Sequence, residues 1–113
     1  MNRWLFAALI LTGGCRQTTE PPVSLVVTLE ASRSTAARGD TITFTVNATG
    51  NNLVGVVIDF GDQTNDLYAT GGASTARVTF KHVFQATGTF TVSAVVTDAL
   101  VGEKESTTAV VIN

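Results

Sequence analysis

KHVFQATGTFTVSAVVTDALVG, residues 81–102, is the stretch whose reading decides the fold. In its centre Phe90, Val92, Ala94 and Val96 alternate with Thr91, Ser93, Val95 and Thr97. A period of two puts these sets on opposite faces of an extended chain, whereas a helix would repeat its apolar residues three and four apart. The Thr and Val that fill the stretch are β-branched and suit a pleated, half-buried surface. Gly88 before the alternation and Gly102 after it mark turns.

The same period extends outward in both directions. In DTITFTVNA, residues 40–48, Ile42, Phe44, Val46 and Ala48 face inward while Thr41, Thr43, Thr45 and Asn47 face out. ARVTF adds Ala76, Val78 and Phe80, and residues 24–30 add Leu25, Val27 and Leu29. GVVIDF, residues 55–60, is apolar on both faces apart from Asp59, as a central strand would be. DLYAT, residues 66–70, reads as a short edge strand, and TTAVVI, residues 107–112, closes the sheet. Breaks at Gly39, Gly50, Gly71, Gly72, Gly88 and Gly102 separate about seven short strands, the spacing of an all-β, two-layer antiparallel sandwich. No helix is expected beyond the first residues.

Those first residues, MNRWLFAALILTGG, carry a different signal. Arg3 gives a positive start, Trp4 to Leu11 an apolar run, and Thr12, Gly13 and Gly14 a small-residue cleavage site. The run is shorter than the roughly 20 residues of a membrane-spanning helix. Cys15, the single cysteine, follows directly. This arrangement resembles the lipobox of bacterial lipoproteins, in which the cysteine is acylated and the leader removed, although Thr12 stands where the family favours Leu. The expected division is therefore a signal peptide over 1–14, a lipidated Cys15 with a short spacer over 15–22, and one domain over 23–113. A conventional signal peptide and an uncleaved chain are the alternatives. Two or three acyl chains would make the attachment effectively permanent, in a bacterial cell envelope with the domain facing the periplasm or exterior. Residues 16–22, RQTTEPP, hold both prolines and suit a stiff tether.

Composition narrows the function classes. Without residues 1–14 the chain has six Lys and Arg against nine Asp and Glu, so it offers no electrostatic footprint for nucleic acid. With Cys15 acylated no thiol remains for a disulfide, and the domain must stand on packing alone.

IDFGD, residues 58–62, together with residues 81–102, resembles the PKD domain, an immunoglobulin-like β-sandwich found in many surface and secreted proteins. Asp59, Phe60, Gly61, Asp62, His82, Gly88, Val92, Thr97, Asp98 and Gly102 match its pattern, and Phe84 and Phe90 replace two tyrosines. Ile58 replaces the usual core tryptophan, Gln63 a turn glycine, and Thr87 a proline. The resemblance implies an immunoglobulin-like sandwich that serves as a spacer, an adhesive or protein-binding module, or an accessory to a secreted hydrolase; some members bind calcium.

Immunoglobulin order would bring Asp40, Asp59, Asp62 and His82 to one end of the sandwich, with Gly61 and Gly88 in the adjoining turns. These side chains are expected to hold turns by accepting backbone N–H bonds or bonding to one another. The sharper reading is a calcium site using Asp40, Asp59 and Asp62, since Ca2+ seeks six to eight oxygen ligands; no other cofactor is implied. The opposite end would gather Asn51, Asn52, Asp98, Glu103, Lys104 and Glu105, where sandwich loops commonly bind partners. Asp98 also suits the cap of its own turn. Tyr68 is the remaining binding candidate, since an exposed ring provides contact area at low entropy cost; otherwise it covers the sheet edge.

A lone His82 without thiol or second histidine is a poor basis for nucleophilic or transition-metal chemistry, so no enzyme is expected. The functional expectation is a non-catalytic, membrane-tethered extracytoplasmic module binding an envelope protein or glycan through Tyr68, Asn51, Asn52 and Asp98. The alternative is a structural envelope lipoprotein or spacer with no specific ligand.

Overall fold

Alternating Thr and apolar residues produce strands wherever the pattern occurs. The computed structural model describes residues 24–113. Six strands run through them: β1 (Val26–Ala31), β2 (Thr35–Ala36), β3 (Thr41–Asp59), β4 (Asn65–Val83), β5 (Gly88–Asp98) and β6 (Gly102–Ile112). The expected count of about seven is close to this, and the difference lies at two joints where expected strands run together. Residues 41–48 and 55–60 are parts of one 19-residue strand, β3, and residues 66–70 and 76–80 are parts of another, β4. The short β2 had no sequence signal.

Both joints are bulged. The β3–β4 register shifts between Thr49 and Leu53 and again between Leu53 and Gly55, and the second shift also appears where β3 pairs β5. A bulge bends a strand and increases its twist without ending the ladder. The first half of β3 therefore lies between β1 and the second half of β4, with Leu29 opposite Val46 and Phe44 opposite Phe80. Its second half lies between the first half of β4 and β5, with Val56 opposite both Tyr68 and Val96. β6 pairs β5 antiparallel, and β2 joins β6 in parallel through Thr35–Val111 and Ala36–Ile112. The result is an immunoglobulin-like sandwich whose two layers share β3 and β4.

The inward rows meet between the layers. Ile42, Phe44, Val46 and Ala48 are buried, as are Val78, Phe80, Val92, Ala94, Val96, Leu25, Val27 and Leu29; Ala76 and Phe90 are half-buried against them. Ile58, at the position of the family's tryptophan, is fully enclosed. Each fully buried Ile, Phe or Val side chain is worth roughly 1.5–3 kcal/mol over its exposed state, the contribution a disulfide-free domain depends on. Toward the IDFGD end the core becomes aromatic. Phe44 lies 5.6 Å from Phe60 and 6.4 Å from Phe84, which in turn stacks on Phe90 at 4.7 Å.

Candidate functional site

Three regions carry the residues singled out by sequence: the two ends of the sandwich and the free edge along β4. Cys15 lies outside the described residues.

At one end Asp98 closes β5 with its carboxylate turned inward and 1% exposed. Oδ2 accepts the N–H groups of Asn51 and Asn52 at 2.6 and 2.7 Å, and Oδ1 those of Leu100 and Val101 at 2.8 and 3.1 Å. Burial pushes this carboxyl up, but the four backbone donors outweigh burial and hold it below the usual carboxylate range. Gly50 permits the approach, because a Cβ there would stand 2.5 Å from Oδ2. Asp98 is thus removed from the binding candidates: it caps its own turn and pins the bend of β3. Asn51 and Asn52 serve the same clamp through their backbone, and the Asn52 side chain lies against Gly72.

At the other end the acidic residues occupy separate turns. Asp40 accepts the N–H of Ala37 at 3.1 Å and a bond from Arg33 Nη1 at 3.4 Å. Asp59 accepts the N–H of Gly61 at 2.9 Å. Asp62 accepts the N–H of Thr64 at 3.2 Å and its hydroxyl through Oδ1, and pairs with His82 Nε2 at 2.7 Å through Oδ2. His82 stacks flat on Phe60 at 3.9 Å and meets Phe84 edge-on at 4.6 Å, so the imidazole is a wall of the aromatic core. Burial raises the Asp62 carboxyl, while the bonds to Thr64 and His82 and the nearby imidazole bring it below the usual range. Gly61, at φ +81°, presses so closely on β5 that a Cβ would come within 2.5 Å of the Thr91 carbonyl oxygen. Gln63 adopts φ +72°, which explains the glycine this position favours in the resembling family. Gly88, at φ +141°, opens β5.

Asp40, Asp59 and Asp62 share this end but not a ligand set. Among the described residues no three His, Cys, Asp or Glu side chains come together as a metal site. Each of the three carboxylates instead accepts a backbone N–H of its own turn, and Asp62 also bonds His82.

The third region was only partly legible. Leu67 and Tyr68, adjacent on the first half of β4, are 67% and 53% exposed. Because β4 bends, its two halves flank the open side of the sandwich, and a groove of about 320 Å³ runs between them. Asp66 and Tyr68 line one wall, Arg77 and Thr79 the other, over the buried Val78 and Phe80. A recess of about 240 Å³ continues it past Thr70 and Thr75. The Thr70 hydroxyl there is buried without a hydrogen-bond partner. On the outer face Leu67, Val57 and Val95 form one row across β4, β3 and β5. The sequence singles out Tyr68 but not Arg77, which lines the groove only because β4 folds back beside itself. Neither the groove nor the recess includes Asp59, Asp62 or His82.

Comparison with solved structures gives the same architecture. The chain is similar to the PKD domain of an M14-like peptidase from a Thermoplasmatales archaeon, with 24% identity and a TM-score of 0.67, over 84% of this chain and 98% of that one. It is also similar to the PKD domain of the human VPS10 domain-containing receptor SorCS2, with 19% identity and a TM-score of 0.57, over 87% of this chain and 81% of that one. A CARDB domain from Pyrococcus furiosus, solved in complex with di-metal ions, shares the fold at 18% identity and a TM-score of 0.62, over 85% of this chain and 97% of that one. No curated protein matches the sequence. The family model of the PKD domain matches residues 26–112, all six strands, and the chain therefore belongs to the PKD domain family.

Proposed function

We propose that this PKD domain is a non-catalytic module, anchored by lipid at Cys15 to a bacterial cell envelope, that contacts an envelope protein or glycan through the β4 edge. The observation that carries the contact is the exposure of Leu67 and Tyr68 side by side on an edge strand beside a groove. Edge strands normally avoid such display with charge, proline or brevity. The anchor is supported by the lipobox-like order of residues 11–15. A pure spacer, the alternative, would carry a solvated exterior without this apolar edge.

Two measurements test the reading. Intact mass of the protein extracted from bacterial membranes is expected to show a mature chain beginning at an acylated Cys15, with Cys15→Ser remaining unprocessed. A photo-reactive residue placed at Tyr68 is expected to form a discrete adduct in the envelope, while one at Thr45, on the outer face of the other layer, forms none. Equal labelling at both positions would reject the contact edge, and a mature mass without acyl chains would reject the anchor.

A further inference from the structure

Among the described residues both halves of β4 are free edges, but they are protected differently. The second half carries two exposed basic residues, Arg77 and Lys81, and charged side chains of this kind discourage strand pairing. The first half, NDLYAT, has no basic residue and a single charge at Asp66, and presents Leu67 in the outer row with Val57 and, together with Tyr68, at the groove. A strand added here would cover apolar surface on both sides.

The backbone of this segment is set for pairing. Phe60 N–H donates to Thr64 O at 3.0 Å, and the antiparallel ladder alternates from there. The backbone groups of Asp66 and Tyr68 therefore face β3, while those of Asn65, Leu67 and Ala69 face away from it. Consistently, a Cβ on Gly55 would lie 3.3 Å from the Tyr68 carbonyl oxygen. The outward N–H of Leu67 is taken by the adjacent Asp66 carboxylate at 2.8 Å.

From this arrangement we infer that the edge pairs with the same edge of a second copy, antiparallel about a two-fold axis at Leu67. The inference rests on the reading of this edge as a contact surface and names its partner. The register places Leu67 opposite Leu67 of the second copy, Asn65 opposite Ala69, and Asp66 opposite Tyr68. On the outer face the row Val95–Val57–Leu67 then continues into its own copy. On the groove side Asp66 of the second copy arrives opposite Tyr68, with Arg77 on the facing wall of the groove, and symmetry makes this meeting of opposite charges twice. Among the described residues neither Asp66 nor Arg77 is in an ion pair. Pairing also exchanges bonds without loss: Leu67 N–H passes from the Asp66 carboxylate to a carbonyl of the second copy, and the carboxylate is released toward Arg77. A symmetric interface of this kind closes at two copies, which prevents an open edge from propagating into a fibre.

The test is sedimentation of the full-length, membrane-extracted protein in detergent over a range of concentrations. The wild type is expected to show a concentration-dependent dimer. Leu67→Lys is expected to weaken it roughly tenfold or more, because like charges meet across the axis, with an unchanged melting curve at dilutions where both proteins are monomeric, since Leu67 is exposed. Asp66→Arg and Arg77→Asp are each expected to weaken the dimer, and the double exchange to restore it. In oxidising conditions Leu67→Cys is expected to form a symmetric disulfide, and Thr79→Cys none. A wild type that stays monomeric overturns the inference, as does a dimer indifferent to Leu67→Lys or one the double exchange fails to restore. If the wild type is monomeric while a photo-reactive residue at Tyr68 still yields a foreign adduct, self-pairing falls and the contact edge stands. If that adduct is also absent, both fall.

Discussion

Asp98 and Asp62 anchor opposite ends of one sandwich, and they do so by different means. Asp98 is enclosed and satisfied by four backbone N–H groups drawn from two bends. Asp62 is half-buried and divides its carboxylate between Thr64 and the His82 ring. A carboxylate held by backbone donors tolerates little change in itself, because its loss leaves several backbone donors without their partner at once. One held by side chains belongs to a network that can be altered at either member. The Asp98 end is thus a fixed hinge for β3, whereas the Asp62 end is a packed corner whose strength depends on a side-chain partner.

The largest break in this comparison should come from Asp98→Ala, which strands four donors at once and is expected to lower Tm by on the order of 10 °C or more. Asp98→Asn keeps one acceptor oxygen and should fall between. Gly50→Ala presses a methyl against the same carboxylate, so it too should destabilise. Thermal melts of Gly50→Ala in the wild type and in Asp98→Ala would show the coupling: the glycine change should cost less once the carboxylate is gone.

Next in size is the other corner. Asp62→Asn or His82→Phe is expected to cost about 1–2 kcal/mol, measured by denaturant unfolding, with the double variant losing less than the sum of the two. The folded-state pKa of Asp62 lies below its ordinary value. Its contribution is therefore fully present above the ordinary carboxylate range and lost as pH falls through the lowered folded-state value. Asp98 acts in the same direction. The acid limb of stability against pH should therefore be shallower in Asp62→Asn than in the wild type, with the remaining slope carried in part by Asp98.

The smallest expected effect is a gain. Gln63 holds a left-handed backbone at φ +72° in the turn between Asp62 and Thr64. Gln63→Gly should relieve that conformation and raise unfolding free energy by about 0.5–1 kcal/mol, partly offset by the freedom glycine gives the unfolded chain. No change on denaturant unfolding would mean that the strain is absorbed by neighbouring turns.

Much of the fold was legible because a pleated strand has only two faces, so the rows from Ile42 to Ala48 and from Val92 to Val96 could be assigned from spacing alone. The joints were not. Gly50 and Gly71–Gly72 look like loop punctuation, yet the chain passes through both with its ladder bent and shifted in place of being ended. The same limit explains Asp98. Its local signal was a turn cap, which is half of what it does; the other half depends on Asn51 and Asn52, more than 40 residues earlier and brought near only by the bend. Tyr68 was legible as an aromatic in a glycine-rich connection, but its position on a free edge, with Arg77 across the groove, required the pairing of β4.

By itself the sequence determined the strand composition of the domain and its inward rows, because these follow from side-chain periodicity, while the corner of Asp59, Asp62 and His82 followed from the resemblance to the PKD domain. It also supplies all the support there is for the anchor at Cys15. Only the tertiary structure decided that two pairs of expected strands are single bent ones, that Asp98 is buried, that Asp40, Asp59 and Asp62 each bond to their own turns, and that Leu67 and Tyr68 stand exposed side by side on β4. Those outcomes depend on which distant segments become neighbours, and adjacency across a sheet is set by packing of the whole core.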